Sequence, residues 1–258
     1  MLKNIKLHEK SINFNFEKCY PKIGYPNHNL LQMDQVYDCK FCGHSFAKET
    51  TLTKHMCVKK RRYMDIDATG PRFGFRAFQR FFELTTNSKK AKTHQEFIES
   101  PYYIDFVKFG NHLALLKPIH ADQYIDFVVK GGLKLKDWTK DFVYDVYIQD
   151  LIKKEPPTSA ADRTITEIME WCKDNNTQFN EFFIKINPNE AAHLVRTGRI
   201  SPWVLYLSST GENLVNRFTE DHANIINEII DPGYWMKKFK KNNDDVEYIK
   251  SILEQAGL

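Results

Sequence analysis

The sequence has no apolar run near the ~18 residues that a membrane-spanning helix needs. Its opening, Met1-Leu2-Lys3-Asn4-Ile5-Lys6, carries charge where a secretion signal has its apolar centre. A spanning, anchored or secreted chain is therefore not expected, and the expected location is the cytoplasm. Glycine and proline are sparse, 11 and 10 among 258 residues, which argues against a collagenous or wholly disordered chain. Cysteine is scarce as well. Five cysteines, an odd number without a secretion signal, favour a reducing compartment and argue against a disulfide framework. No Gly-rich phosphate loop, nucleophile elbow, His-Glu-x-x-His or EF-hand pattern occurs, so no common catalytic motif announces an enzyme.

Aromatic residues are plentiful, with 19 Phe, 12 Tyr and 4 Trp, and predict buried layers rich in rings. The formal net charge of +4 is unevenly spread. Residues 1–67 hold 12 Lys and Arg against 7 Asp and Glu, whereas the remainder holds 25 against 26. The excess is densest at Lys59-Lys60-Arg61-Arg62, a local footprint suited to a polyanion.

Three segments are expected: an extension over 1–36 with a short strand, a cysteine-bearing module with a basic tail over 37–66, and an all-α domain over 67–258. The extension shows one alternation, Ile12-Asn13-Phe14-Asn15-Phe16-Glu17, broken by turn chemistry around Pro21 and Gly24. Beyond Pro71 the pattern is helical almost throughout. Thr93 with Glu96 forms a capping box, and Ser100-Pro101 is read as a helix start with proline first. Apolar stripes recur at Phe106, Phe109 and Leu113; at Val143, Val146, Tyr147 and Leu151; at Ile165, Ile168, Met169 and Cys172; at Ile225, Ile226, Ile229 and Ile230; and at Val246, Ile249 and Leu253. Residues 203–207 are apolar on every side and predict a buried helix. Nine or ten short helices and no strand after residue 70 are expected. The string Tyr-Ile-Asp-Phe-Val occurs at 103–107 and at 124–128, better explained by two similar amphipathic helices than by duplication.

The most specific motif is Cys39-Lys40-Phe41-Cys42-Gly43, followed by Phe46, Leu52 and His55. Two cysteines separated by two residues present both thiols from a tight knuckle, and after twelve intervening residues a histidine can approach from a short helix. Phe46 and Leu52 supply the small plug between them. The segment 37–58 resembles the C2H2-type zinc finger, which implies a ββα unit organised around a tetrahedral Zn²⁺. The second histidine of that family is missing here. The nearest candidate is Cys57, two residues past His55, and on a continuous helix those side chains would point about 200° apart. The helix must therefore end at His55. The expected ligands are Cys39, Cys42, His55 and Cys57, with His44 in reserve. Four protein ligands leave no open position for catalysis.

Matched residue by residue to DNA-reading fingers, the base-facing positions are Lys48, Thr51 and Lys54. Lys59, Lys60, Arg61 and Arg62 would add phosphate contacts, and Arg72, Arg76 and Arg80, four residues apart, would extend the basic track along a helix. His120, Asp122 and Asp126 suggest a metal nuclease less readily than a helix start capped by Asp122. Cys172 and the four tryptophans read as core residues, and Cys19 has no assigned role.

Cys39-x-x-Cys42, Glu49-Thr-Thr-Leu52, His55-Met-Cys57-Val-Lys-Lys-Arg-Arg62, Ser100-Pro-Tyr-Tyr103 and Gly198-Arg-Ile-Ser-Pro-Trp203 make the whole chain similar to uncharacterised zinc-finger proteins of tailed bacteriophages. That resemblance implies action inside an infected cell and no particular activity. The expectation is a zinc-binding accessory or regulatory protein that contacts nucleic acid, DNA in preference to RNA, through the finger. Its helical domain would act as a scaffold or bind a protein partner. The alternatives are a nucleic-acid-processing enzyme targeted by the finger, and an adaptor with a structural zinc.

Overall fold

The computed structural model describes residues 35–86 and 90–258. The strand expected at 12–17, the turns near Pro21 and Gly24, and Cys19 lie outside the described residues. The chain forms two compact units that divide between His55 and Met56. The junction expected at 66/67 therefore lies inside the second unit.

In the first unit, β1 (Tyr37–Asp38) pairs antiparallel with β2 (Ser45–Phe46), Tyr37 opposite Phe46, and α1 (Glu49–Lys54) follows. These two strands are the only ones among the described residues. A ββα-like module followed in sequence by a helical domain is the observed fold.

Every regular element among the described residues of the second unit is a helix. The unit opens with α2 (Val58–Met64), α3 (Thr69–Thr86), α4 (His94–Glu99), α5 (Tyr103–Leu116) and α6 (Ala121–Lys130). It continues with α7 (Asp141–Lys154), α8 (Pro157–Asp174), α9 (Phe182–Lys185), α10 (Pro188–Arg196) and α11 (Pro202–Leu207). It closes with α12 (Gly211–Val215), α13 (Glu220–Ile230), α14 (Pro232–Lys241) and α15 (Asn243–Ala256). The expected nine or ten helices undercount this, because several are single turns delimited by caps rather than by periodicity. Thr93 does close a capping box over α4, while α5 starts at Tyr103 and leaves Pro101 in the preceding turn.

One continuous core runs through this unit. Its first half is a ring cluster: Phe81, Phe106 and Phe109 pack against Trp138, Phe78 and Phe97 extend the cluster from Phe106, and the Trp138 indole N–H donates to the Leu133 carbonyl (3.0 Å). Its second half is built on α11, where Trp203, Val204 and Leu205 are all buried, as expected of a helix apolar on every side. The stripes at Phe106/Phe109/Leu113 and Val246/Ile249/Leu253 are buried. Three others are only partly inward: Val146 on α7, Met169 on α8 and Ile225 on α13 are exposed, while Tyr144 and Ile148 on α7 and Thr164 on α8 are buried instead, and Ile226, Ile229 and Ile230 keep α13 packed. The two Tyr-Ile-Asp-Phe-Val copies bury different faces, since Ile104 is exposed and Ile125 fully buried. Similar helices account for this better than a duplicated unit does.

Helices α3 and α5 cross at backbone contact. A Cβ on Gly110 would collide with the Gly70 carbonyl and lie 2.5 Å from the Gly74 amide, and one on Gly74 would lie 2.7 Å from the Phe106 carbonyl. Gly110→Ala should therefore destabilise the protein by about 1–3 kcal/mol despite alanine's better helix propensity. Chemical denaturation would check this, and an unchanged midpoint would mean the helices can separate at no cost.

Candidate metal centre and basic surfaces

The Cys39–Gly43 knuckle is closed by two backbone bonds: Cys39 N–H to the His44 carbonyl (2.9 Å) and Gly43 N–H to the Cys39 carbonyl (2.8 Å). Gly43 has φ +73, a left-handed conformation that suits glycine. The Ser45 hydroxyl donates to Asp38 Oδ1 (2.6 Å) across the hairpin. Helix α1 stops at Lys54. His55 turns to φ −67, ψ 125, and residues 55–57 are irregular, as the ligand spacing demands.

This break brings the four expected ligands together. One ligand atom from each of Cys39, Cys42, His55 and Cys57 lies within 4.8 Å of the others, and Cys42 Sγ is 3.3 Å from His55 Nε2. A tetrahedral ion with bonds of ~2.3 Å to sulfur and ~2.0 Å to nitrogen needs ligand separations of about 3.5–3.8 Å. Three sulfurs and an imidazole form a soft set that disfavours the oxygen-seeking cations. The cluster can hold a metal ion. His44 stands outside it, its ring edge-on to Phe46 at 4.7 Å. Phe46 packs against His55 as well, at 4.8 Å, and so orients the ligand ring.

Cys57 has a second role that spacing did not announce. It is the N-cap of α2, and its sulfur accepts the Lys60 backbone N–H (3.3 Å). A metal-bound thiolate is an anion, and a helix N-terminus is where an anion is favoured.

The basic residues fare unequally. Lys48, Thr51 and Lys54 are all exposed on α1 and its N-cap. The expected tail, however, is helix α2, which packs on α4. Lys59 pairs with Glu99 (2.9 Å). Arg62 donates to the Ile98 carbonyl (2.7 Å) with its guanidinium 4.3 Å from the Tyr103 ring centre. Arg61 is exposed.

Along α3, two of the three expected arginines meet carboxylates. Arg76 pairs with Asp122, and Arg80 grips Asp126 with one guanidinium edge, Nε to Oδ1 and Nη2 to Oδ2 (2.7 Å), while its Nη1 reaches Glu83 at 2.9 Å. Only Arg72 of the three lacks a carboxylate partner among the described residues; it lies beside the Phe73 ring. The hydrogen bond from Arg80 holds the Asp126 carboxyl below its ordinary range. That stabilisation is present above the unfolded carboxylate pKa and is lost as the pH falls through the lower folded value. Asp122 is not the cap of α6; His120 is, at φ +49 and without a side-chain cap bond. Asp122 and Asp126 are thus committed to α3, and no metal cluster forms around them among the described residues.

Trp138, Trp203 and Trp235 are buried, and half-buried Trp171 donates to Glu190 (2.9 Å). Cys172 is buried, and burial pushes its thiol pKa up. No described helix is long and apolar enough to cross a membrane. Compared with family models, curated proteins and solved structures, the chain matches none.

Proposed function

We propose that the protein is a zinc-binding accessory or regulatory protein that contacts nucleic acid, DNA in preference to RNA, through its finger and α2. The second unit serves as the scaffold and as the surface for a protein partner. The observation that carries this reading is the convergence of Cys39, Cys42, His55 and Cys57 beside a short helix whose outward positions are Lys48, Thr51 and Lys54. Zinc is the metal that this soft tetrahedral donor set suits, and with four protein ligands its role is structural. The motif similarity to tailed-bacteriophage zinc-finger proteins supports action in the cytoplasm of an infected cell.

The DNA-contacting set narrows to Lys48, Thr51, Lys54, Lys60 and Arg61, with Arg72 adding charge. Lys59 and Arg62 hold α2 on α4, while Arg76 and Arg80 are neutralised by carboxylates.

A salt titration of affinity for duplex DNA tests this. Lys54→Ala and Arg61→Ala should each reduce the slope of log affinity against log salt by about one. Arg76→Ala, already neutralised by Asp122, should change neither slope nor affinity. An unaltered slope in the Lys54→Ala, Arg61→Ala double variant would sink the nucleic-acid reading.

A further inference from the structure

Beyond residue 67 the charge is nearly balanced, 25 Lys and Arg against 26 Asp and Glu. Lys92, Lys130, Lys140, Lys154, Lys185 and Lys250 each meet a carboxylate three or four residues away. One group of lysines does not. Lys153, near the end of α7, and Lys237 and Lys241, on α14, are exposed and make no ion pair among the described residues.

Residues 234, 237, 238 and 241 recur at helical spacing and so form one face of α14. Lys238 is turned inward from it: its Nζ donates to the Lys153 carbonyl (2.8 Å) and lies 4.9 Å from the Trp235 ring centre. That bond ties the end of α7 to this face, and the Lys153 ammonium lies 5.8 Å from the Tyr234 ring centre, within cation–π range. Tyr234 is half-buried, and its hydroxyl is neither buried nor hydrogen-bonded among the described residues. The carboxylates nearby leave the three exposed lysines unneutralised. Asp150 pairs with Lys154, and buried Glu155 with Arg163. Asp245 acts on Lys238, and Asp244, three residues past Lys241, makes no ion pair among the described residues.

Folding alone does not account for such a cluster. The end of a helix favours a cation, but like charges four residues apart repel, as Lys237 and Lys241 do. Lys153 adds a third charge from a second helix. A bound polyanion turns this repulsion into attraction.

We propose that this face of the second unit is a further contact for the nucleic-acid backbone. Lys153, Lys237 and Lys241 neutralise phosphates, and the Tyr234 hydroxyl donates to a phosphate oxygen. This deepens the nucleic-acid reading and rests on it for the identity of the polyanion, but on none of the residues that carried it. Two other partners fit less well. A phospholipid surface takes cations flanked by inserted apolar side chains. The exposed apolar residue of α14, Met236, stands about 200° of rotation past Tyr234. A protein interface is depleted in lysine.

The test is the affinity of the full chain for a duplex of about 30 base pairs, some ten times the span of one finger, measured against salt. Combining Lys153→Ala, Lys237→Ala and Lys241→Ala should flatten the slope of log affinity against log salt by about two to three. Binding at about 0.15 M salt should weaken at least tenfold. Lys185→Ala, whose partner is Glu181, should change neither. The triple variant should melt no lower than wild type, since it loses repulsion and no ion pair. An unchanged slope and affinity in that variant would overturn the proposal; if Lys54→Ala with Arg61→Ala still flattened the slope, the finger reading would stand without it. A slope that responds to the triple variant and not to the finger variants would leave this face as the contact and remove the finger. Binding to anionic phospholipid vesicles through the same lysines, with none to the duplex, would overturn both.

Discussion

Stripping the metal from Cys39, Cys42, His55 and Cys57 should unfold residues 37–57 while leaving the helical unit intact. The module has almost nothing else to hold it. Among the described residues of the first unit, Cys39 alone is buried. The hairpin has two residues a side, and α1, at six residues, is far below the length at which an isolated helix persists. Structural zinc contributes about 10–16 kcal/mol of apparent binding free energy in finger peptides near neutral pH, and there binding is folding. Cys39→Ser should therefore abolish stoichiometric metal and disperse the order of the module. Amide NMR signals from 37–57 would collapse toward random-coil shifts, with the second unit's melting temperature nearly unchanged. Cys57→Ser should behave differently, because serine is itself a good N-cap. Metal affinity should fall while α2 stays capped and docked through Lys59 and Arg62. A module that keeps its dispersed spectrum after stringent chelation would show that the ion is not its organiser.

The ligands were legible because a knuckle, a plug and a terminal histidine are local features with fixed spacing, and the two-residue gap from His55 to Cys57 by itself forced the helix to end. The same local logic gave the capping box at Thr93 and the largely buried α11. What failed to show was set by distant partners. Arg76 and Arg80 read as a basic stripe because the carboxylates that neutralise them lie 46 residues away on α6, and no period connects the two helices. Gly70, Gly74 and Gly110 were invisible as a helix crossing, since a glycine in a helical pattern looks like a weak point until the second backbone is seen against it. The partly exposed stripes have a similar cause. Met169 and Ile225 satisfy the spacing of an apolar face, but the choice between adjacent faces is made by the neighbouring helix.

Replacing Arg163 should cost the helical unit about 3–5 kcal/mol, because it leaves a buried carboxylate without its counter-charge. The Glu155 side chain is 3% exposed and receives two bonds from Arg163, Nη2 to Oε2 at 2.5 Å and Nε to Oε1 at 3.1 Å. The remaining guanidinium nitrogen, Nη1, donates to the carbonyls of Gly198 and Arg199. Next door, Thr164 Oγ1 accepts the Ser201 N–H (2.9 Å), and the Ser201 hydroxyl caps α11 by accepting from Trp203 N–H (3.3 Å). Two adjacent residues of α8 thus fix the link between α10 and the buried α11, and the pair's value lies in position as well as charge. This separates two outcomes. If the ion pair alone mattered, combining Arg163→Met with Glu155→Leu would restore nearly all the stability, since buried pairs exchange for apolar residues at little cost. Because Arg163 also satisfies two backbone carbonyls, the double variant should recover only part of the loss. It should remain about 1–3 kcal/mol below wild type, the cost of leaving those groups unbonded. Urea melts of the two single variants and the double variant would decide it, and full recovery in the double variant would reduce Arg163 to a counter-ion.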